Sequence, residues 1–170
     1  MNMKTIKTAI IATAITAVIF SISGTAQAEP FVSAKGGVTI AQSKSTTFPW
    51  ANLKGDTSFV GSVEAGYQFG QVGVEGQLLS GKKAASTVTG FVNGTYDVLS
   101  GSVRPYVIVG VGTPLKNLGA AGSAEYQAGA GVKVNIAKNV DIDGRVTYLG
   151  TRGAGNPNVI VPLVGANISF

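Results

Sequence analysis

The sequence predicts an all-β fold, an eight-stranded antiparallel up-and-down transmembrane β-barrel after an N-terminal signal peptide. Three observations predict it. Only 12% of the 170 residues are charged and the mean hydropathy is +0.30, yet no apolar run reaches the about 20 residues of a membrane-spanning helix. Beyond residue 28 the chain alternates between apolar and polar residues in eight segments of about 10 to 12 residues, enough to cross a bilayer at a tilt. The last segment, Ile160 to Phe170, carries Ile160, Pro162, Val164, Ala166, Ile168 and Phe170 at every second position, with Gly165, Asn167 and Ser169 between them. A strand facing lipid can hold such an end ring at the membrane interface.

The first element, Met1 to Ala28, has Lys4 and Lys7 at its start, an apolar centre from Ala9 to Ile22, and the small-x-small end Ala26-Gln27-Ala28. These are the three regions of a secretory signal peptide, expected to be cut before Glu29. Residues 29–170 then form the barrel domain. Losing 28 of 170 residues leaves 142, and losing Lys4 and Lys7 lowers the formal charge from +5 to +3.

Each strand follows from its alternation. Pro30 to Ala41 sets Val32, Ala34, Val38 and Ile40 against Ser33, Lys35 and Thr39. Ser58 to Phe69 sets Phe59, Val63, Ala65, Tyr67 and Phe69 against Ser62, Glu64 and Gln68, then turns at Gly70-Gln71, a two-residue hairpin loop. That turn places Val74 and Leu78 of Val72 to Gly81 on the oily face and Glu75 and Gln77 on the polar one. Thr87 to Val98 opposes Val88, Val92, Tyr96 and Val98 to Thr89, Asn93, Thr95 and Asp97, with Phe91 as the exception. Arg104 to Thr113 is apolar on both faces, and an inward Arg104 sets its orientation. Ala124 to Ile136 and Val140 to Gly150 alternate again, the latter with Asp141, Asp143, Arg145 and Thr147 on its polar face.

A soluble barrel would turn the oily face inward, so the faces need a second criterion. Tyr67, Phe69, Tyr96 and Phe170 fall at one end of the oily faces, and Phe59, Tyr126 and Tyr148 near the other, as two aromatic girdles. Connections also alternate between short (Gly70-Gln71, Leu99 to Val103, Ala137 to Asn139) and longer (Gln42 to Thr57, Pro114 to Ser123, Thr151 to Val159). Short periplasmic turns and longer outer loops are the rule for membrane barrels. With Phe170, Ile168, Ala166 and Val164 as the assembly signal, the pattern resembles the small eight-stranded outer-membrane barrels: the OmpX/Ail type, the opacity-like proteins and the membrane domain of outer-membrane protein A. The resemblance implies residence in the outer membrane of a Gram-negative cell, contact with its lipids and lipopolysaccharide, and insertion by the barrel-assembly machinery. It also implies a non-enzymatic role in the cell envelope, with adhesion or immune evasion through contacts with host surface molecules. The alternative is a narrow porin-like channel for small solutes.

The polar faces supply Lys35, Arg104, Lys133 and Arg145 against Glu64, Glu75, Asp97, Glu125, Asp141 and Asp143. The interior of an eight-stranded barrel is filled by side chains, and unpaired charges there are costly, so ion pairs are expected among Lys133, Asp143, Arg145, Asp141, Asp97, Arg104, Glu64 and Glu75. A three-residue turn over Ala137 to Asn139 would oppose Ile136 to Val140 and Lys133 to Asp143; a wider turn after Asp97 would oppose it to Arg104. The chain has no His and no Cys, so a His-assisted serine, a thiol nucleophile and a His-ligated haem are excluded, and no cofactor or metal is expected. Gly76, Gly81 and Lys82 match part of a phosphate-binding loop, but Lys83 stands where Ser or Thr is required and no helix follows; no nucleotide or nucleic-acid partner is expected. In the outer loops, Lys44, Lys54, Lys82, Lys83, Lys116 and Arg152 against Asp56 make a basic rim. The first loop adds Phe48 and Trp50, so Trp50, Phe48, Lys44 and Lys54 are the candidate binding residues for a polyanionic or protein ligand.

Overall fold

The computed structural model describes residues 28–41, 57–81, 88–115, 124–151 and 159–170. The signal peptide up to Gln27, the candidate loop residues Lys44, Phe48, Trp50 and Lys54, and the other outer-loop cations Lys82, Lys83, Lys116 and Arg152 lie outside them. The described residues form eight strands: β1 (Ala28–Ala41), β2 (Thr57–Phe69), β3 (Val72–Gly81), β4 (Thr89–Asp97), β5 (Val103–Pro114), β6 (Glu125–Ala137), β7 (Val140–Thr151) and β8 (Val159–Ser169). Each pairs antiparallel with its sequence neighbours, and β8 pairs with β1 to close the barrel.

Alternation decides which way each strand faces. Val63, Val92, Val109, Val146 and Val164 are exposed on the outer wall, whereas Lys35, Glu64, Asn93, Gln127 and Asp143 are buried inside. Inverted polarity of this kind suits a wall in hydrocarbon, where closure also leaves no unpaired strand edge. Phe59, 82% exposed, and Tyr126 stand near the end with the long connections; Tyr96 and Phe170 stand near the end with the short ones. Tyr67 and Phe69 stack obliquely at that second end, their centroids 6.3 Å apart.

Arg104 does orient β5 inward, with Tyr106 and Ile108 buried and Val107, Val109 and Val111 outside. Phe91 likewise points inward. Both inward rings lie over a cross-strand glycine: Tyr106 is paired with Gly131 and Phe91 with Gly112. A Cβ on Gly131 would come within 2.6 Å of the Tyr106 ring.

Two connections turn tightly. Phe69 pairs with Val72 across Gly70-Gln71, and Gly70 has φ 60°, the left-handed region that glycine enters without Cβ strain. Between β6 and β7 the turn is narrower than expected. Ala137, not Ile136, opposes Val140, and the extra residue is absorbed by an irregularity between Asn135 and Ala137. Such a bulge lets a two-residue turn close without flipping the faces upstream, so Lys133 still opposes Asp143. The closing ladder also has a gap. It runs from Phe31–Ser169 to Gly37–Leu163 and resumes at Ile40–Ile160; Pro162, which has no N–H to donate, lies within the gap.

Candidate functional site: the filled lumen

The inward side chains fill the barrel in three tiers. The innermost centres on Glu64, whose carboxylate accepts from Lys35 and Arg145 and from Ser62 Oγ at 2.9 Å. Arg145 bridges on to Glu75, Nη1 to Oε1 at 3.0 Å. Lys35 Nζ also lies 2.9 Å from Asp143 Oδ2, and the Tyr106 hydroxyl donates to Asp143 Oδ1 at 2.8 Å. The side chains of Arg145 and Glu64 are both 0% exposed, so these charges have only each other and neutral donors in place of water. Buried ions persist only when so paired.

Toward the outer loops an amide tier and an apolar cap follow. Gln127 Nε2 donates to Gln77 Oε1 at 2.7 Å and to Asn93. Asn93 Nδ2 donates to Gln77 Oε1 at 3.1 Å and to Glu75 Oε1 at 3.0 Å, which ties this tier to the charged one. Val60, Leu79, Phe91, Val159, Val161 and Leu163 pack together as one cluster, with Val161 0% exposed. Valine and leucine at 159, 161 and 163 interrupt the apolar–polar alternation of β8 because this stretch is apolar on both faces, one toward lipid and one toward the cap.

The third tier lies at the end with the short turns. Lys133 Nζ is 3.2 Å from Asp97 Oδ1 and stands 4.9 Å from the centre of the Tyr106 ring. Arg104 Nη2 is 2.5 Å from Asp141 Oδ2, and Asn135 Nδ2 donates to Asp141 Oδ1 at 3.1 Å. Beside them a cavity of about 520 Å³ is lined by Glu29, Gln68, Asp97, Leu99 and Arg104 and by two of the three short turns, those between β2 and β3 and between β4 and β5.

All eight side chains expected to form ion pairs face the lumen, but of the two pairings expected from the ladders, Lys133–Asp143 is not made and Arg104–Asp97 is a long contact. Lys133 opposes Asp143 in the ladder yet binds Asp97, while Asp143 goes to Lys35 and Tyr106. Tyr106, not Arg104, opposes Asp97, so Arg104 lies two residues away, its Nε 3.9 Å from Asp97 Oδ2, and its closer partner is Asp141. In so narrow a barrel, long side chains reach strands other than the adjacent one. Lys35, which the sequence places on the polar face with the other cations, joins the network; Tyr106 and the amides Gln77, Asn93 and Gln127 are not marked by the charge pattern, and polar amides at inward positions of successive strands are the signal for the latter. Of the residues expected to form the assembly signal, Val164, Ile168 and Phe170 are exposed on the outer wall.

Among the described residues, no group of three or more His, Cys, Asp or Glu side chains could hold a metal ion. No curated protein sequence gives a significant match to the chain. Among solved structures it is similar to Neisserial surface protein A, at 20% identity and a TM-score of 0.62, over 83% of this chain and 97% of that one. It is also similar to Ail, the attachment invasion locus protein of Yersinia pestis, solved with the heparin analogue sucrose octasulfate, at 13% identity and a TM-score of 0.47, over 84% and 97%. The family model for the outer membrane protein beta-barrel domain matches residues 12–170. The chain belongs to that family, as an eight-stranded barrel of the outer membrane.

Proposed function

We propose that this protein is a sealed, non-enzymatic barrel that supports the envelope and acts at the cell surface through its outer loops, by adhesion to polyanionic or protein surfaces of a host. Removal of Met1 to Ala28 during export delivers residues 29–170 for insertion, and the strand carrying Val164, Ala166, Ile168 and Phe170 presents the assembly signal. The observation that carries the reading is the filled lumen: the Arg145–Glu64 pair in the charged tier and Val161 in the apolar cap are both shut off from solvent. A bore closed by ion pairs and an apolar cap leaves no room for a solute, so the surface beyond the wall is where the protein meets other molecules. The basic first loop, with Lys44 and Lys54 around Phe48 and Trp50, supplies charge and an apolar anchor.

The test compares three strains: wild type, a deletion, and a variant carrying Trp50→Ala, Lys44→Glu and Lys54→Glu. Binding of whole cells to host-cell monolayers and to immobilised heparin should fall equally in the deletion and the loop variant. Unchanged binding in both would remove adhesion from the reading. Purified protein in planar bilayers should show no single-channel steps, and steady solute-conducting steps would replace the sealed barrel with a narrow channel.

A further inference from the structure

The lumen is filled, but its polar groups are not all satisfied, and the exceptions have an order. Arg104 Nε, Ser33 Oγ and Asn167 Oδ1 are buried without a hydrogen-bond partner among the described residues. Ser33 is 6% and Asn167 4% exposed, so bulk water does not solvate them. They follow one another inward from the cavity between the short turns. Arg104 lines that cavity and binds Asp141; Asp141 opposes Asn167 on β8; Asn167 opposes Ser33 on β1. The other two such atoms, Arg145 Nε and Gln127 Oε1, belong to side chains whose remaining nitrogens are held in the charged and amide tiers.

We infer that an ordered water bridges Ser33 Oγ and Asn167 Oδ1 inside the barrel and is supplied from the periplasmic mouth along Arg104 and Asp141. A buried polar atom without a partner costs about 1–3 kcal/mol, and a single water with two to four polar neighbours removes that cost. Asn167 Oδ1 can only accept, whereas the Ser33 hydroxyl can donate or accept. Water, donor and acceptor at once, suits both. The neighbouring carboxylates argue against a bound cation in its place. Asp141 already receives Arg104 and Asn135, and Asp143 receives Lys35 and Tyr106. The inference rests on the sealed-barrel reading in one respect: a site fed from one side only requires the opposite end to stay closed.

A high-resolution crystal structure of the processed protein in detergent tests it, with water itself as the probe. The expected result is one water at about 2.7–3.2 Å from both Ser33 Oγ and Asn167 Oδ1, and a second on Arg104 Nε. An empty site, a rotated Asn167 bonded to protein, or density with the several short oxygen contacts of a metal cation overturns the proposal. In solution, magnetisation transfer from water to the Asn167 side-chain amide should be present in wild type and weakened in Ser33→Ala; transfer unchanged by that substitution overturns the bridge even if the crystal form fails. A column of waters continuing past Val161 to the outer mouth would overturn the sealed reading, whereas an empty Ser33–Asn167 site with a dry cap would overturn this inference alone.

Discussion

Removing the charge of Lys35 should cost far more than removing the charge of its partner Asp143, and the two substitutions together test how the lumen is held. The innermost tier contains three carboxylates, Glu64, Glu75 and Asp143, and two cations, Lys35 and Arg145. It is therefore one negative charge in excess. The Lys35 side chain is 1% exposed and touches two of the carboxylates. Lys35→Met keeps the unbranched stem as far as its fourth atom but leaves Asp143 with the Tyr106 hydroxyl alone and Glu64 with Arg145 and neutral donors. Breaking a buried pair by deleting one partner costs about 3–5 kcal/mol, because the surviving charge stays buried. Asp143→Asn removes the excess charge and keeps an oxygen to accept from Tyr106, so its cost is that of one altered hydrogen bond, about 1 kcal/mol. The assay is equilibrium urea unfolding of barrels refolded into lipid vesicles, followed by circular dichroism and extrapolated linearly. Equal losses for the two variants, or a larger loss for Asp143→Asn, would refute the view that charge compensation governs this tier.

Other perturbations probe different parts of the wall. Gly131→Ala should displace the Tyr106 ring and cost about 1–3 kcal/mol by overpacking, measured by the same titration, while Gly36→Ala, whose added Cβ would meet nothing within 4 Å, should be close to neutral. Leu163→Ala in the apolar cap should cost about 2–5 kcal/mol, and planar-bilayer recordings should stay silent because the charged tier remains closed. Val164→Arg on the lipid face should destabilise by about 2–4 kcal/mol if that residue sits at the bilayer midplane; a loss near zero would place it at the interface. Phe170→Ala should slow insertion into vesicles containing the assembly machinery and leave the unfolding free energy within about 1 kcal/mol, read by the rate at which protease protection appears.

Much of the wall was legible because a membrane barrel makes period-two alternation nearly obligatory. The β3 bounds were legible to the residue, since Gly70-Gln71 fixes one end and an oily–polar alternation runs through Val74, Glu75, Gln77 and Leu78. β5 carried apolar residues on both faces, so alternation was silent there, and a single long cation, Arg104, oriented it. What alternation cannot encode is which inward side chains meet. Pairing along a ladder is local, but Lys133 and Asp97 lie on β6 and β4, which share no ladder; only the closed bore brings them together. The irregularity near Asn135 was equally illegible, because Ala137-Lys138-Asn139 reads as a three-residue turn and a two-residue turn with a bulge leaves the same upstream register.

The closing ladder sets the order in which this wall can be built. Seven of the eight ladders join strands adjacent in sequence, as Phe69 meets Val72 across two residues, while Phe31 meets Ser169 from the far side of the chain. The entropy lost on closing a loop grows with its length, and long-range pairings form late for that reason. A ribbon of hairpins should therefore assemble first, with β1 and β8 as its two bare edges. Until they join, each edge exposes a row of unpaired amides that hydrocarbon does not tolerate and that another chain could pair with instead. The interruption at Pro162 weakens the last seam to form, so exposure of these edges, rather than loss of any single tier, is where folding and aggregation compete.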